Sequence, residues 1–350
     1  MKKVYDVLRF GLKCILIPAA AVLIIYSLNK PYRRIDFNKY LDITKFTTLE
    51  HLYDHVDIGN LGSSHGAYDF DYTALEERGY ACFNFANTSQ SFNYDYAILK
   101  QYGNYMSPGS VLFIPVSYFS FNNEVVNASE AQAMSVRYYH FLSPKNIPDY
   151  NPYVDLVTNR FPILSAGEDI FKIFPGFKLS LITYAAEKEG DGTTNNSENL
   201  DTQIDVQDSD IVENQESPQN INIEEFANRA KERYSRHFDN KEEYFLPERI
   251  SDLYDIINYC KEHEITPVLI TTPFSSYYID LISEDFLKEF SETVNQIAAD
   301  TGVSYYDYSN DERFYNNLTY FSDSDHLNAE GCEYFMQVLL NDVTELNKFQ

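Results

Sequence analysis

Two short segments hold the residue types of nucleophilic catalysis. Gly62-Ser63-Ser64-His65 follows an apolar run, and Asp323-Ser324-Asp325-His326-Leu327 precedes the last amphipathic stretch. A serine hydroxyl becomes a competent nucleophile when a base takes its proton. An imidazole serves as that base when an acceptor holds its other nitrogen and fixes the tautomer. Ser64, His326 and Asp323 supply these three parts, which points to acyl transfer. Ser64 also falls where a strand turns into a helix, so backbone N–H groups there favour developing negative charge. With 53 acidic residues and 7 histidines, an Asp-x-x-His arises by chance. The information lies in the joint placement, serine after the first strand and Asp-x-x-His before the last helix.

Competing assignments exist for each position. Ser63 is the neighbouring hydroxyl, but the Gly-x-Ser spacing favours Ser64, whose structural alternative is a helix cap. His65 either faces substrate or packs inside. Asp323, Asp325 and His326 together resemble part of a hard-cation site, but such sites want several carboxylates on one loop and no further cluster completes this one. No metal and no cofactor are assigned, and Asp325 reads as a solvated turn residue.

The positioning elements follow from periodicity. Residues 56–61, 80–85, 111–116, 266–271 and 303–307 read as strands, and 72–78, 94–102, 250–263, 286–299 and 330–346 as helices. This alternation implies parallel βαβ units, an α/β fold with a parallel sheet flanked by helices on both sides in a flavodoxin-like three-layer arrangement. Ligands then sit beyond the carboxyl ends of the strands. Four loops leave such ends: 62–66, 86–91, 116–121 and 321–327. Residues 128–184 read as a helical, Tyr-rich insertion. Residues 187–223 lack aromatic side chains and are rich in Asp, Glu, Asn and Gln, so they cannot bury enough apolar area to offset ordering and read as a disordered acidic insertion.

Composition narrows the function class. A net charge of −26 across 350 residues, with pI near 4.5, speaks against a nucleic-acid partner, whose phosphates need clustered Lys and Arg. The 30 tyrosines and 25 phenylalanines read mainly as core and half-buried strand residues. Cys14, Cys82, Cys260 and Cys332 fit neither a zinc site nor a disulfide framework and read as small apolar side chains. Residues 10–28 are long and apolar enough to span a bilayer, with no small-x-small cleavage site after them. The expected organisation is a cytoplasmic 1–9, a signal-anchor at 10–28, a juxtamembrane connector at 29–54 that folds onto the domain, and an extracytoplasmic domain at 55–350. That makes a single-pass protein of the cell membrane.

The first segment, Gly62-Ser63-Ser64-His65, resembles the first block of the SGNH (GDSL-like) hydrolases, with Ser64 at the nucleophile position. The second, continuing Asn328-Ala329-Glu330-Gly331, resembles their last block, Asp-x-x-His-Leu followed by a glycine. The style is that of membrane-anchored, envelope-acting members such as the D-alanine transfer protein and exopolysaccharide O-acetyltransferases, over residues 56–346 less the insertions. Two departures stand out. Gly-Ser-Ser replaces Gly-Asp-Ser, and the Gly-x-Asn-Asp block is not recognisable, Val116-Ser117-Tyr118-Phe119 standing there instead. Oxyanion or substrate contacts then fall to the Ser64 N–H, Asn87, Gln90, Ser117 and His65. The resemblance implies an acyltransferase or esterase acting on a glycan or polyol of the cell envelope, with a multi-span acyltransferase as a partner. The alternative is a non-catalytic scaffold of the same fold that binds glycan or an envelope partner.

Overall fold

Five parallel strands lie side by side in one sheet: β1 (Val56–Asn60), β2 (Cys82–Asn84), β3 (Met106–Pro115), β4 (Thr266–Thr271) and β5 (Ser304–Asp307), in the order β2-β1-β3-β4-β5. The structure is a computed structural model and describes residues 2–36, 43–122, 134–167, 222–239 and 243–350. Among the described residues, the α-helices of five or more residues are α1 (Lys2–Asp36), α2 (Ile43–Leu52), α3 (Ser64–Tyr68), α4 (Phe92–Tyr102), α5 (Ile223–Phe238), α6 (Pro247–Glu262), α7 (Glu284–Thr301) and α8 (Ala329–Asp342).

The chain divides into two compact units. One comprises residues 1–44, 132–144 and 149–204, the other 45–131, 145–148 and 205–350. The second holds the sheet. Its central strands are apolar runs because both faces are covered: Val111 to Ile114 and Val268 to Ile270 are fully buried. The strand order reverses direction between β1 and β3, which opens a crevice at their carboxyl ends. β3 begins at Met106, ahead of the expected start at 111. A register shift between Val56 and Ile58 absorbs the Pro108-Gly109 turn, and Gly109 takes a φ of 84° there. In the same unit, Phe46 and Leu49 of α2 are fully buried, and Phe46 stacks on Tyr102 at 4.8 Å.

α8 and the C-terminal turn close one large apolar cluster, in which Phe335, Leu339 and Leu346 meet Ile58, Val111, Phe113 and Val268. α5 begins at Ile223, capped by the Asn222 side chain, whose Oδ1 accepts from Glu225 N. The rest of the acidic tract, to residue 221, lies outside the described residues.

The first unit holds α1 and the described segments 134–144 and 149–167. The described part of the expected helical insertion is built from short turns, Arg137–His140, Pro152–Asp155, Leu156–Arg160 and Pro162–Ser165. Prolines at the starts of two of these turns favour short pieces. Residues 128–133 and 168–184 of the expected insertion lie outside the described residues.

Candidate active site

The chain leaves β1 at Asn60 and must turn sharply to start α3 at Ser64. Gly62 makes the turn with a φ of 116°, and a Cβ there would sit 3.2 Å from the Pro115 ring. Its N–H donates to Asp95 Oδ1 at 2.9 Å, tying the turn to α4. Asn60 locks the other side: its Nδ2 donates to Gly66 O at 2.7 Å and its Oδ1 accepts from Tyr72 Oη at 2.9 Å. Ser64 is thereby held at the head of α3, 6% exposed.

The loop before α8 folds on itself through Asp323. Its Oδ1 accepts from the backbone N–H groups of Asp325 at 3.0 Å and His326 at 2.8 Å. Phe321 and Leu327 pair across the loop, and Leu327 N donates to the buried Asp69 Oδ1 at 3.0 Å. Gly331 anchors the first turn of α8, because a Cβ would fall 2.1 Å from Tyr320 O.

These two turns bring the catalytic types together. His326 Nε2 stands 2.8 Å from Ser64 Oγ, and His326 Nδ1 stands 2.8 Å from Asp323 Oδ2 and 3.1 Å from Oδ1. The carboxylate accepts from Nδ1–H, which sets the tautomer of the neutral imidazole, and in that form Nε2 accepts from the Ser64 hydroxyl. Burial opposes a charged His326, but the carboxylates of Asp323 and Asp325 outweigh it and raise its pKa to about 9. The Arg233 guanidinium pulls that value down.

A second, deeper set of groups supports the histidine. Arg233 of α5 forks onto Asp325, Nε to Oδ1 at 3.1 Å and Nη2 to Oδ2 at 2.9 Å, and its Nη2 also reaches His326 Nε2 at 3.3 Å. Asp325 is fully buried, which corrects its reading as a solvated turn residue. Burial works against its charge, and Arg233 and His326 hold its pKa well below the usual carboxylate range. His65 is fully buried beside it. Its Nε2 donates to Asp325 O at 2.8 Å, and its Nδ1 accepts from Ser117 Oγ at 2.8 Å. The ring packs between Phe119 at 5.4 Å and Phe274 at 4.7 Å, and burial together with His326 lowers its pKa to about 3.

Ser117 therefore spends its hydroxyl on His65. Asn87 Nδ2 donates to Gln90 Oε1 at 2.8 Å, and Gln90 Nε2 donates to Asp95 Oδ1 at 2.6 Å. Asp95, fully buried in this chain of amides, has its pKa raised to about 7 by burial. One ligand atom each from His65, Asp325 and His326 lie within 4.8 Å of one another. The Arg233 guanidinium already occupies that centre as a permanent cation on Asp325, which disfavours a metal ion there.

Arg233 and His237 were not visible as site residues. Phe226, Ala230, Arg233 and His237 recur at helical spacing along one face of α5, so the signal was an apolar stripe continued by two basic side chains. His237 is half-stacked on Phe119 at 4.1 Å with its Nδ1 2.5 Å from Tyr278 Oη. Burial pushes its pKa well below normal.

No curated protein is similar to this chain at a significant level. Among solved structures, one from Streptococcus pneumonia named for platelet activating factor is 11% identical, covers 92% of this chain and 97% of its own, and superimposes with a TM-score of 0.39. The DltD protein family matches residues 162–338, a span that carries Arg233, Asp323 and His326, while Ser64 precedes it. With a buried serine and histidine joined to a half-buried aspartate at the end of a parallel α/β sheet, and a family match over half its length, this chain belongs to the DltD protein family, which is involved in D-alanylation of cell-envelope teichoic acids.

Proposed function

We propose that this chain is a membrane-anchored, extracytoplasmic acyltransferase that passes an acyl group, D-alanyl in keeping with its family, through Ser64 to a hydroxyl of a cell-envelope polymer. The observation that carries the reading is the continuous relay from Ser64 Oγ through His326 to Asp323, with both links at 2.8 Å. Ser64 Oγ attacks the acyl carbonyl carbon while His326 Nε2 takes its proton. Collapse of the tetrahedral intermediate breaks the bond to the donor, and His326 returns the proton to that leaving group. The acyl-Ser64 ester is then attacked by an acceptor hydroxyl, whose proton passes through His326 back to Ser64. Asp323 stays ionised and holds Nδ1–H throughout. Ser64 and His326 are each 6% exposed, so little water reaches the ester and a seated hydroxyl competes well.

Arg233 and Asp325 act as positioning residues. They place charge of opposite sign beside His326, and their balance sets the pH at which the imidazole is free to accept a proton. The rival reading, a non-catalytic envelope scaffold that binds glycan or a membrane partner, draws on the missing Gly-x-Asn-Asp block. Labelling with a fluorophosphonate, followed by mass spectrometry of the active-site peptide after incubation with an acyl donor, separates the two. The acyltransferase gives Ser64-bound label and a Ser64 ester, both absent in Ser64→Ala. Equal labelling of wild type and Ser64→Ala overturns it.

A further inference from the structure

We propose that residues 152–166 form a foot that rests in the headgroup layer of the bilayer, held there by the outer end of α1. The proposal rests on reading α1 as a membrane span.

The apolar stretch of α1 runs from Arg9 to Arg33, and its most apolar 18 residues include none that is buried in the protein. At 1.5 Å per residue, residues 10–28 extend roughly 28 Å, close to the ~30 Å hydrocarbon thickness. Leu28 then marks its outer edge, and Ile25 lies about 4–5 Å inside it. At this level the segment engages the helix. Ile163 and Ala166 join Tyr32 in one apolar cluster, against which Ile25 and Leu28 pack. Asn29, itself 6% exposed, donates from Nδ2 to Arg160 O at 2.8 Å and accepts from Ile163 N. A segment bonded to residue 29 and packed on residue 25 lies at the depth of those residues.

Its outward side chains suit that depth. Tyr153 is 81% exposed, Leu164 49% and Leu156 40%, large apolar groups that water would disfavour. Tyrosine belongs at a membrane interface, where its ring is apolar and its hydroxyl wet. Lys30 and Arg33 are exposed on the same end of α1, placing cations where lipid phosphates lie. The foot fixes the height of its own unit above the bilayer.

Single cysteines test depth at each position in the full chain. In a Cys14→Ser background the other three cysteines are buried, so Tyr153→Cys, Leu164→Cys and Ile17→Cys can each carry an environment-sensitive nitrobenzoxadiazole label. The protein is reconstituted in phosphatidylcholine–phosphatidylglycerol vesicles containing no other protein, with nitroxides at the headgroup or at mid-chain. Expected is mid-chain quenching at position 17, headgroup quenching at 153 and 164, and shielding of the latter two from aqueous iodide. Quenching at 17 with iodide-accessible, unquenched labels at 153 and 164 overturns the foot and leaves the anchor standing. That outcome assigns the surface to a protein partner. Absence of quenching at all three overturns anchor and foot together.

Discussion

His65 and His326 lie 4.9 Å apart, ring centre to ring centre, and both are buried, yet their pKa values are driven to about 3 and about 9. Desolvation acts on both in the same direction, so burial does not separate them. Their partners do. His326 has a carboxylate directly on Nδ1, whereas His65 bonds to a backbone carbonyl and a serine hydroxyl, both neutral. Asp325 Oδ2 stands 3.8 Å from His65 Nε2, but its charge is committed to Arg233 at 2.9 Å. One imidazole can exchange a proton with Ser64, and the other is a fixed neutral strut that holds the loop in place. A carboxylate in hydrogen-bond contact makes the working histidine, and a carboxylate already neutralised leaves the structural one.

The largest effect that bears on this contrast comes from the working side. Ser64→Ala removes the nucleophile and should lower acyl transfer about 10⁴–10⁶-fold, measured as single-turnover transfer, with thermal stability held. Asp323→Asn keeps the shape while reversing the hydrogen-bond character on one side of the ring. It should cost about 10⁴-fold, because the imidazole is then stabilised in the wrong tautomer. An Asp323→Asn protein with wild-type rates would mean that Asp325, not Asp323, serves the histidine.

Arg233 is the next test, because it controls which carboxylate charge is free. Arg233→Met leaves Asp325 buried and unpaired and should cost about 3–5 kcal/mol in denaturant unfolding. Arg233→Met with Asp325→Asn should recover most of that. The pH profile adds a readout that structural damage would not move. The guanidinium lowers the His326 pKa, so its loss raises it, and the alkaline rise in acyl transfer should move to higher pH. Asp325 raises the His326 pKa, so Asp325→Asn alone should move that rise to lower pH. Shifts in the same direction would sink the charge-balance account.

The parts of this site that were legible in the sequence are those written by local chemistry. β4 has the ends expected from its apolar run, and Ser64, His326 and Asp323 sit on the turns that their motifs imply. The expected parallel α/β sheet is present. What escaped depends on pairing over distance. Asp325 looked like a solvated turn residue because nothing nearby in sequence neutralises it. Its partner sits 92 residues away on α5. That helix adjoins the acidic tract, and two of the four side chains along its stripe, Arg233 and His237, are basic, so periodicity marks the stripe without tying it to the site. The oxyanion assignments rested on side chains near the strand ends, and Gln90 and Ser117 direct their donors to Asp95 and His65.

The smallest effect isolates the strut. In wild type the unfolded chain protonates His65 near its ordinary 6.5 while the folded chain holds it neutral to about 3. Between those values the unfolded state binds the extra proton, so this group costs stability as pH falls from 6.5 toward 3. His326 works oppositely: its folded pKa near 9 stabilises fully below 6.5 and that benefit is lost as pH rises through 9. Asp69 and Asp95, both raised to about 7 by burial, also lose stability as pH climbs from about 4 to 7. Those contributions are shared by wild type and His65→Gln, so the difference between the two proteins reports mainly residue 65. An amide keeps one donor and one acceptor, so His65→Gln should cost about 1–2 kcal/mol at pH 8. The gap should narrow as pH falls below 6.5, because the variant has no imidazole to protonate on unfolding. Denaturant midpoints at pH 8, 6 and 4.5 measure it, and a gap that widens toward acid would mean that His65 is charged in the folded protein, erasing the contrast with His326.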